Sequence, residues 1–174
     1  MSYDVHINRQ DISALFDLKG DQEALERWAG QSLPAFPDAA NRLTRSEHAS
    51  LYCVGRNHWI VRAELEHEEA LLAALKPDAA PADVSVVLIS DTLTFFDVTG
   101  PDAAAIMSIA CPLDLHPAAF GETTVTFTEM FGLKALVLRL ADGFEFAVDQ
   151  SFGNMITDYL ARATAPSTGE ETRS

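Results

Sequence analysis

The stretch that decides the fold is residues 89–120, ISDTLTFFDVTGPDAAAIMSIACPLDLHPAAF. Its first part, 92–98, is rich in β-branched and aromatic residues and predicts a strand. A helix then begins at Gly100-Pro101-Asp102, because proline in a first helical turn lacks only an N–H that would have no partner there. Pro112 ends this helix, since proline disfavours α geometry in the residue before it. The stretch therefore predicts a strand, a short helix and a loop stiffened by prolines.

That loop, residues 111–117, contains a thiol, a carboxylate and an imidazole. A Cys–His nucleophile requires the imidazole within hydrogen-bond reach of the thiol, usually with a third group holding it in place. Two prolines instead favour a shaped turn whose aspartate accepts hydrogen bonds from nearby backbone N–H groups. We therefore predict no catalytic residue in this chain. We predict a structural or interface loop formed by Cys111, Pro112, Leu113, Asp114, His116 and Phe120.

Hydrophobic periodicity organises the rest of the chain. Upstream it predicts a helix after Gly20, a hairpin of strands 49–54 and 59–64, and a helix over 66–76. Downstream it predicts strands at 84–89, 124–128, 133–140 and 144–149, and a final helix after Ser151. The continuous apolar run at 84–89 is typical of a buried strand. Antiparallel hairpins backed by helices predict an α+β fold of two related halves, duplicated in pattern but not in residue identity.

The domain organisation follows from the same pattern. Residues 1–19 have weak periodicity and predict an N-terminal arm, which lies either on a partner chain or on the hairpin at 51–64. We predict that residues 20–164 form a single α+β domain with halves at about 20–76 and 84–164, joined through the Pro- and Ala-rich segment 77–83. Residues 165–174 are polar and predict a disordered tail.

Composition excludes several function classes. The 174 residues carry a formal net charge of −14, which opposes binding to nucleic acid or to an anionic membrane surface. Two distant cysteines do not make a disulfide framework, and the amino terminus lacks the basic and apolar regions of a signal peptide. We therefore expect a cytoplasmic protein.

Cofactor motifs are lacking in the sequence. It contains neither G-x-G-x-x-G nor G-x-x-x-x-G-K-[ST], so no dinucleotide or phosphate cradle is predicted. The five histidines are dispersed, and none pairs with a cysteine at zinc-finger spacing. We predict no metal site and no bound cofactor in this chain.

A strand, then GPDA, a short helix, CPLDLHP and a phenylalanine resemble the gamma subunit of bacterial heterotetrameric sarcosine oxidase. The resemblance covers about 51–163. It implies a fold related to the folate-binding domain of the glycine-cleavage T-protein, and partners that are the alpha, beta and delta subunits. It also implies that FAD and FMN lie with beta and its interface with alpha, NAD and tetrahydrofolate with alpha, and zinc with delta.

A folate site in this chain would need an acid for the pterin and a deep cavity. The two candidate acids, Asp97 and Glu129, both fit the outward face of a strand, so we expect no such site. The main prediction is a non-catalytic gamma subunit. The alternatives are a stand-alone folate-binding aminomethyltransferase-like protein, the small subunit of a related N-methyl amine oxidase or dehydrogenase, and a binding module for an unrelated partner.

Overall fold

A computed structural model describes residues 3–165. Within that range, ten strands form two five-stranded antiparallel sheets, accompanied by four α-helices. The strands are β1 (His6–Arg9), β2 (Ser13–Gly20), β3 (Leu43–Arg45), β4 (Ala49–Gly55), β5 (His58–Glu64), β6 (Val84–Leu88), β7 (Leu93–Thr99), β8 (Val125–Met130), β9 (Leu133–Leu140) and β10 (Gly143–Asp149). The helices are α1 (Gln22–Ala29), α2 (Glu68–Leu75), α3 (Ala103–Ala110) and α4 (Gly153–Thr164). The α+β class is confirmed.

Local sequence explains where the helices begin and end. Asp21 caps α1, because its side chain accepts a hydrogen bond of 3.1 Å from the backbone N–H of Ala24. Cys111, which follows α3, has extended backbone angles, as expected for a residue before proline. The prediction that Pro112 ends this helix is confirmed.

The two sheets are built from a duplicated unit. Sheet A has the strand order β1-β7-β10-β9-β8, and sheet B has the order β6-β2-β5-β4-β3. The chain runs through the order ββαβββα twice, first from β1 to α2 and then from β6 to α4. The first strand of each repeat lies at the edge of the sheet formed by the other repeat. The predicted duplication is confirmed, but its halves are not 20–76 and 84–164, because β1 and β2 belong to the first repeat and β6 pairs with β2.

Residue identity also marks the duplication, contrary to the prediction from the sequence. Phe16-Asp17-Leu18-Lys19-Gly20 in β2 corresponds to Phe96-Asp97-Val98-Thr99-Gly100 at β7. The pairing registers support this correspondence. Asp17 lies opposite Ile60, the third residue of β5, and Asp97 lies opposite Glu145, the third residue of β10, which is the equivalent strand of the second repeat. Three of five residues are identical and a fourth is a conservative change.

The predicted N-terminal arm is wrong, because most of it is a strand within the sheets. β2 pairs with β5 on one side and with β6 on the other, and its first four residues are buried. Helices cover one face of β2 and sheet A covers the other, so both faces take apolar side chains and the alternating period is lost. Of the two locations predicted for this segment, the hairpin is the one it occupies, through β5.

β6 is not the buried strand that its apolar run predicted. It forms an edge of sheet B, where Val84 and Val86 are buried but Val87 is 47% exposed and Leu88 is 39% exposed. Apart from Ala165, the predicted disordered tail lies outside the described residues.

The layers run helix, sheet, sheet, helix. The core between α3, α4 and sheet A is centred on Met107, Phe144, Phe146 and Ile156. The core between α1, α2 and sheet B is centred on Phe16, Leu25, Val61 and Leu75. The core between the two sheets consists of Leu15, Leu43, Tyr52, Ile60, Phe95, Val125, Leu136, Leu138 and Ala147.

Candidate functional site

The loop at 111–117, here called the proline loop, is held on the face of sheet A that the helices cover, together with Phe120 just after it. Leu115 and Phe120 are buried in the core between this sheet and its helices. Arg139 of β9 donates hydrogen bonds to the carbonyl oxygens of both residues. Its guanidinium carbon lies 4.6 Å from the centre of the Phe144 ring. The loop therefore has a fixed shape, held by one cation that satisfies two backbone acceptors.

The thiol, the carboxylate and the imidazole of the proline loop each have different surroundings. Cys111 is buried, and burial raises the pKa of its thiol. A carboxylate oxygen of Asp114 accepts from the backbone N–H of His116 at 2.9 Å, and Nδ1 of His116 accepts from the backbone N–H of Ala118 at 3.2 Å. A nucleophilic cysteine needs a lowered pKa and a base beside it. This arrangement supplies turns for the backbone instead.

The remaining predicted loop residues divide between surface and interior. Pro112, Asp114 and His116 are exposed, and Leu113 is half-buried against the core of sheet A. The exposed residues are available to a partner, and the buried ones fix the loop that presents them.

A second polar constellation lies between the two sheets, and we call it the intersheet cluster. It consists of Gln10, Ser13, Arg62, Asp97 and Glu145. Arg62 donates to Glu145 at 2.5 Å, to the side-chain oxygen of Gln10 at 2.5 Å and to Ser13 at 3.0 Å. The amide nitrogen of Gln10 lies 2.7 Å from both oxygens of Asp97 and 2.8 Å from Glu145. The cluster thus joins strands β2 and β5 of sheet B to β7 and β10 of sheet A.

Burial and charge oppose each other in this cluster. Glu145 is only 4% exposed, and burial raises its pKa while the charge of Arg62 counteracts that effect. Burial also disfavours the charged form of Arg62, but Tyr52 and Glu145 outweigh it and raise the pKa of the guanidinium. The guanidinium stacks 3.7 Å from the centre of the Phe95 ring. Arg62 is therefore a permanent cation that the surrounding groups hold in place.

Sequence reasoning placed Asp97 on an outward face, and that is wrong. Asp97 shares a face of β7 with Phe95, which packs in the core between the sheets. Alternation along a strand shows that two faces differ but not which of them a second sheet covers. Glu129, by contrast, is exposed as predicted.

Arg62 and Glu145 were missed altogether. Each is the charged residue within an apolar run, Trp59-Ile60-Val61 before Arg62 and the phenylalanines on either side of Glu145. Opposite charges within two apolar strands were the available signal, because a buried charge needs a partner.

The acids of the intersheet cluster face donors of the chain itself. The two oxygens of Glu145 face Nη1 of Arg62 and the amide nitrogen of Gln10. The same amide nitrogen faces both oxygens of Asp97, and because it carries two hydrogens it can donate to only two of these three oxygens at a time. The expectation that this chain has no folate site stays a prediction.

Two histidines that are dispersed in the sequence come together on the surface. The rings of His48 and His67 are 4.8 Å apart between centres, with Glu47 and Glu66 at 3.8 and 3.7 Å from the respective Nε2 atoms. Across residues 3–165, no group of three or more His, Cys, Asp or Glu side chains is arranged to hold a metal ion.

In the same range, no helix has both the length and the apolar character needed to cross a bilayer.

Comparison with known proteins gives relatives for this fold. No curated protein sequence matches the chain. A chain of the heterotetrameric sarcosine oxidase from Corynebacterium sp. U-96, solved with pyrrole 2-carboxylate, is similar with a TM-score of 0.81 and 21% identity, over 92% of this chain and 83% of that one. The glycine cleavage system aminomethyltransferase T from Bartonella henselae is similar with a TM-score of 0.66 and 15% identity, over 92% of this chain and 46% of that one. The family model of the GCVT N-terminal domain matches residues 47–170. The chain therefore belongs to the GCVT N-terminal domain family.

Proposed function

We propose that this chain is the non-catalytic gamma subunit of a heterotetrameric sarcosine oxidase. The observation that carries the proposal is the similarity to a chain of such an oxidase, which extends over 92% of this chain and 83% of that one. Two chains that cover each other so fully are close in length, as equivalent subunits would be. The aminomethyltransferase, in contrast, is matched over less than half of its length.

The proposed assembly oxidises the N-methyl group of sarcosine with oxygen. Sarcosine, oxygen and water then yield glycine, hydrogen peroxide and formaldehyde. When tetrahydrofolate takes the one-carbon unit, no water is consumed and the products are glycine, hydrogen peroxide and methylene-tetrahydrofolate. Alpha, beta and delta subunits are the proposed partners, and they carry the FAD, FMN, NAD, tetrahydrofolate and zinc. The assembly is proposed to be cytoplasmic.

Two features of the chain support a role in assembly. Its candidate reactive groups in the proline loop each bond the backbone or lie buried, and its interior acids bond its own arginine and glutamine. The net charge of −14 suits attachment to more basic partner surfaces. The proline loop, with Pro112, Asp114 and His116 exposed, is proposed as one surface that meets a partner.

Co-expression with the alpha, beta and delta subunits tests the subunit role. We expect the chain to co-purify with all three in a flavin-containing complex, and to be colourless and inactive towards sarcosine when purified alone. The assembled Cys111→Ser enzyme should keep its turnover within about twofold, because a buried thiol with a raised pKa is no nucleophile.

Two results would contradict the proposal. One is failure of the wild-type chain to join the other subunits. The other is a loss of turnover of about a hundredfold or more in a fully assembled Cys111→Ser enzyme, which is the size of effect that a catalytic group produces.

The family match favours one second candidate, a stand-alone folate-binding aminomethyltransferase-like protein. Calorimetric titration of the isolated chain with tetrahydrofolate separates the two. A subunit without a folate site gives no binding heat, whereas saturable binding would favour the second candidate. A related N-methyl amine oxidase or dehydrogenase is distinguished by testing sarcosine, dimethylglycine and the electron acceptor with the purified complex.

A further inference from the structure

Among residues 3–165, no strand pairs with the outer side of β6, so this edge of sheet B is open in the part of the chain that the structure describes. Strand β6 pairs with β2 on a single side, and the N–H of Ile89 donates to the carbonyl of Leu15 at 2.8 Å just beyond the strand. In an antiparallel pair, alternate residues direct both backbone groups towards the partner strand. The bond at Ile89 therefore sets Val87 and Ser85 towards β2. The N–H and C=O groups of Val86 and Leu88 point to the open side.

An apolar groove accompanies this edge. It measures about 540 Å³ and lies between β6 and the end of α2. Leu72, Val87 and Leu88 line it, and they are 39%, 47% and 39% exposed. A strand added at the edge would place alternate side chains in this groove while its backbone bonds Val86 and Leu88.

The equivalent edge of sheet A is built differently. There the duplicated strand is β1, whose sequence is His6-Ile7-Asn8-Arg9. Arg9 folds over the sheet and donates to Thr94 and Asn154, each at 2.9 Å. Charged side chains on an edge strand oppose pairing with another chain. Strand β6 has the sequence VSVVL and no such charge. Since β1 takes the equivalent place in sheet A with polar side chains, the fold itself does not require an apolar edge at this position.

Charge indicates what kind of chain occupies the edge of β6. Asp83 and Asp91 flank the strand and are exposed, and Asp78 lies in the groove beside a single cation, Lys76. A second copy would bring its own acids to the same place, and each copy carries a net charge of −14. Like charges brought together in this way oppose self-association.

We propose that the edge of β6 accepts an extended segment of another subunit as the sixth strand of sheet B. The segment has apolar residues at alternate positions and basic residues near its ends, which face Asp83 and Asp91. This inference rests on the proposed function for the identity of the partner, whereas the open edge and the groove belong to this chain alone.

Assembly of a Val87→Lys variant tests the proposal. Lysine at this position adds a charge to the edge, and the isolated variant should fold because Val87 is half exposed. Ile109→Lys on α3 is the matched control, because Ile109 is 53% exposed and lies outside the groove. After co-expression with the alpha, beta and delta subunits, we expect Val87→Lys to reduce the recovered complex about tenfold or more and Ile109→Lys to change it less than about twofold.

Hydrogen exchange at residue resolution supplies a readout specific to strand addition. In the wild-type complex, exchange of the Val86 and Leu88 amides should slow at least about tenfold relative to the isolated chain, while that of Val87 changes little. Assembly of Val87→Lys at the wild-type level would overturn the inference and leave the proposed function standing. Failure of the wild-type chain to bind the other subunits would overturn both. A homodimer of the isolated chain that Val87→Lys dissociates would also overturn it, because the occupant would then be a second copy.

Discussion

Asp17 illustrates how one side chain changes its role between the two repeats. One of its oxygens lies 2.5 Å from Nε2 of His58 and the other 2.8 Å from Nζ of Lys19. Its equivalent in the second repeat, Asp97, bonds Gln10 of the intersheet cluster instead. The position is acidic in both repeats, and the neighbours decide whether the carboxylate bonds a lysine and a histidine of its own sheet or a glutamine between the two sheets.

The contacts of Asp17 predict a pH-dependent stability. Burial alone would raise the pKa of this carboxyl, but the hydrogen bonds from Lys19 and His58 outweigh it and lower the pKa. The folded state therefore favours the carboxylate. The contribution of the Asp17 carboxylate to the free energy of unfolding is complete above the ordinary aspartate pKa of about 3.9. It is lost as the pH falls through the lowered pKa of the folded state.

We expect Asp17→Asn to reduce the free energy of unfolding by about 1–2 kcal/mol at neutral pH, since it removes charge-assisted hydrogen bonds. Urea denaturation at a series of pH values should show this difference shrinking as the solution becomes acidic. Asp38→Asn, at an exposed acid, is the control and should differ from the wild type by less than about 0.5 kcal/mol. A difference for Asp17→Asn that stays constant into strong acid would contradict the assignment.

Arg139 is the side chain that fastens the proline loop. Arg139→Ala leaves the carbonyls of Leu115 and Phe120 without this donor, so we expect a loss of about 2–4 kcal/mol in the free energy of unfolding. Arg139→Lys keeps the charge but not the planar fork, and it should recover only part of this loss. Arg56→Ala, at an exposed hairpin turn, is the control and should cost less than about 0.5 kcal/mol. Equal urea midpoints for Arg139→Ala and Arg56→Ala would show that the loop holds itself.

At the scale of elements, periodicity found the helices and most strands but not their partners. The hairpin of β4 and β5 and the strand–turn–strand of β9 and β10 follow from local alternation and turn residues. β2 was predicted as an arm because both of its faces are covered, which removes the period of two. β6 was predicted as buried because an apolar run does not reveal that one of its sides has no neighbouring strand.

The intersheet cluster could not be predicted for a similar reason. Its residues come from β2, β5, β7, β10 and the β1–β2 connection, which are distant in sequence. Their convergence depends on how the two sheets face each other, and hydrophobic periodicity carries no information about that arrangement.

Two equivalent glycines lie where the chain entering the first strand of one repeat passes close to the other repeat. A Cβ on Gly20 would lie 2.5 Å from the carbonyl oxygen of Asp83, and one on Gly100 would lie 2.8 Å from that of Asp4. Both glycines have positive φ, 133° and 111°. We expect Gly20→Ala and Gly100→Ala each to lower the free energy of unfolding by about 3 kcal/mol or more, through strain and a backbone clash.

Gly132→Ala is the matched control for these substitutions. Gly132 has a φ of 77°, but a Cβ added to it would meet no other atom within 4 Å, so only the backbone strain of about 1–2 kcal/mol remains. Chemical denaturation of the three variants measures the difference. Equal losses at Gly20 and Gly132 would mean that β6 can move away from Gly20 at little cost.

At the scale of the whole molecule, the exchange of first strands ties the two repeats together. β1 leaves the first repeat to pair with β7, and β6 leaves the second repeat to pair with β2. Neither sheet is complete within one repeat. The sheets also share an apolar core and the ion pair between Arg62 and Glu145. Each sheet therefore loses both a strand and a buried face if the other unfolds.

This arrangement predicts a single unfolding transition, and the positions of the tryptophans allow a direct test. Both tryptophans of the chain, Trp28 and Trp59, pack in the core of sheet B. Tryptophan fluorescence consequently reports on sheet B, while far-ultraviolet circular dichroism reports on both sheets. We expect the two signals to give superimposable urea transitions, because domains with one shared core unfold in an all-or-none manner. A tryptophan transition that precedes or follows the dichroism transition would show that the repeats unfold separately and that the exchanged strands contribute little to their coupling.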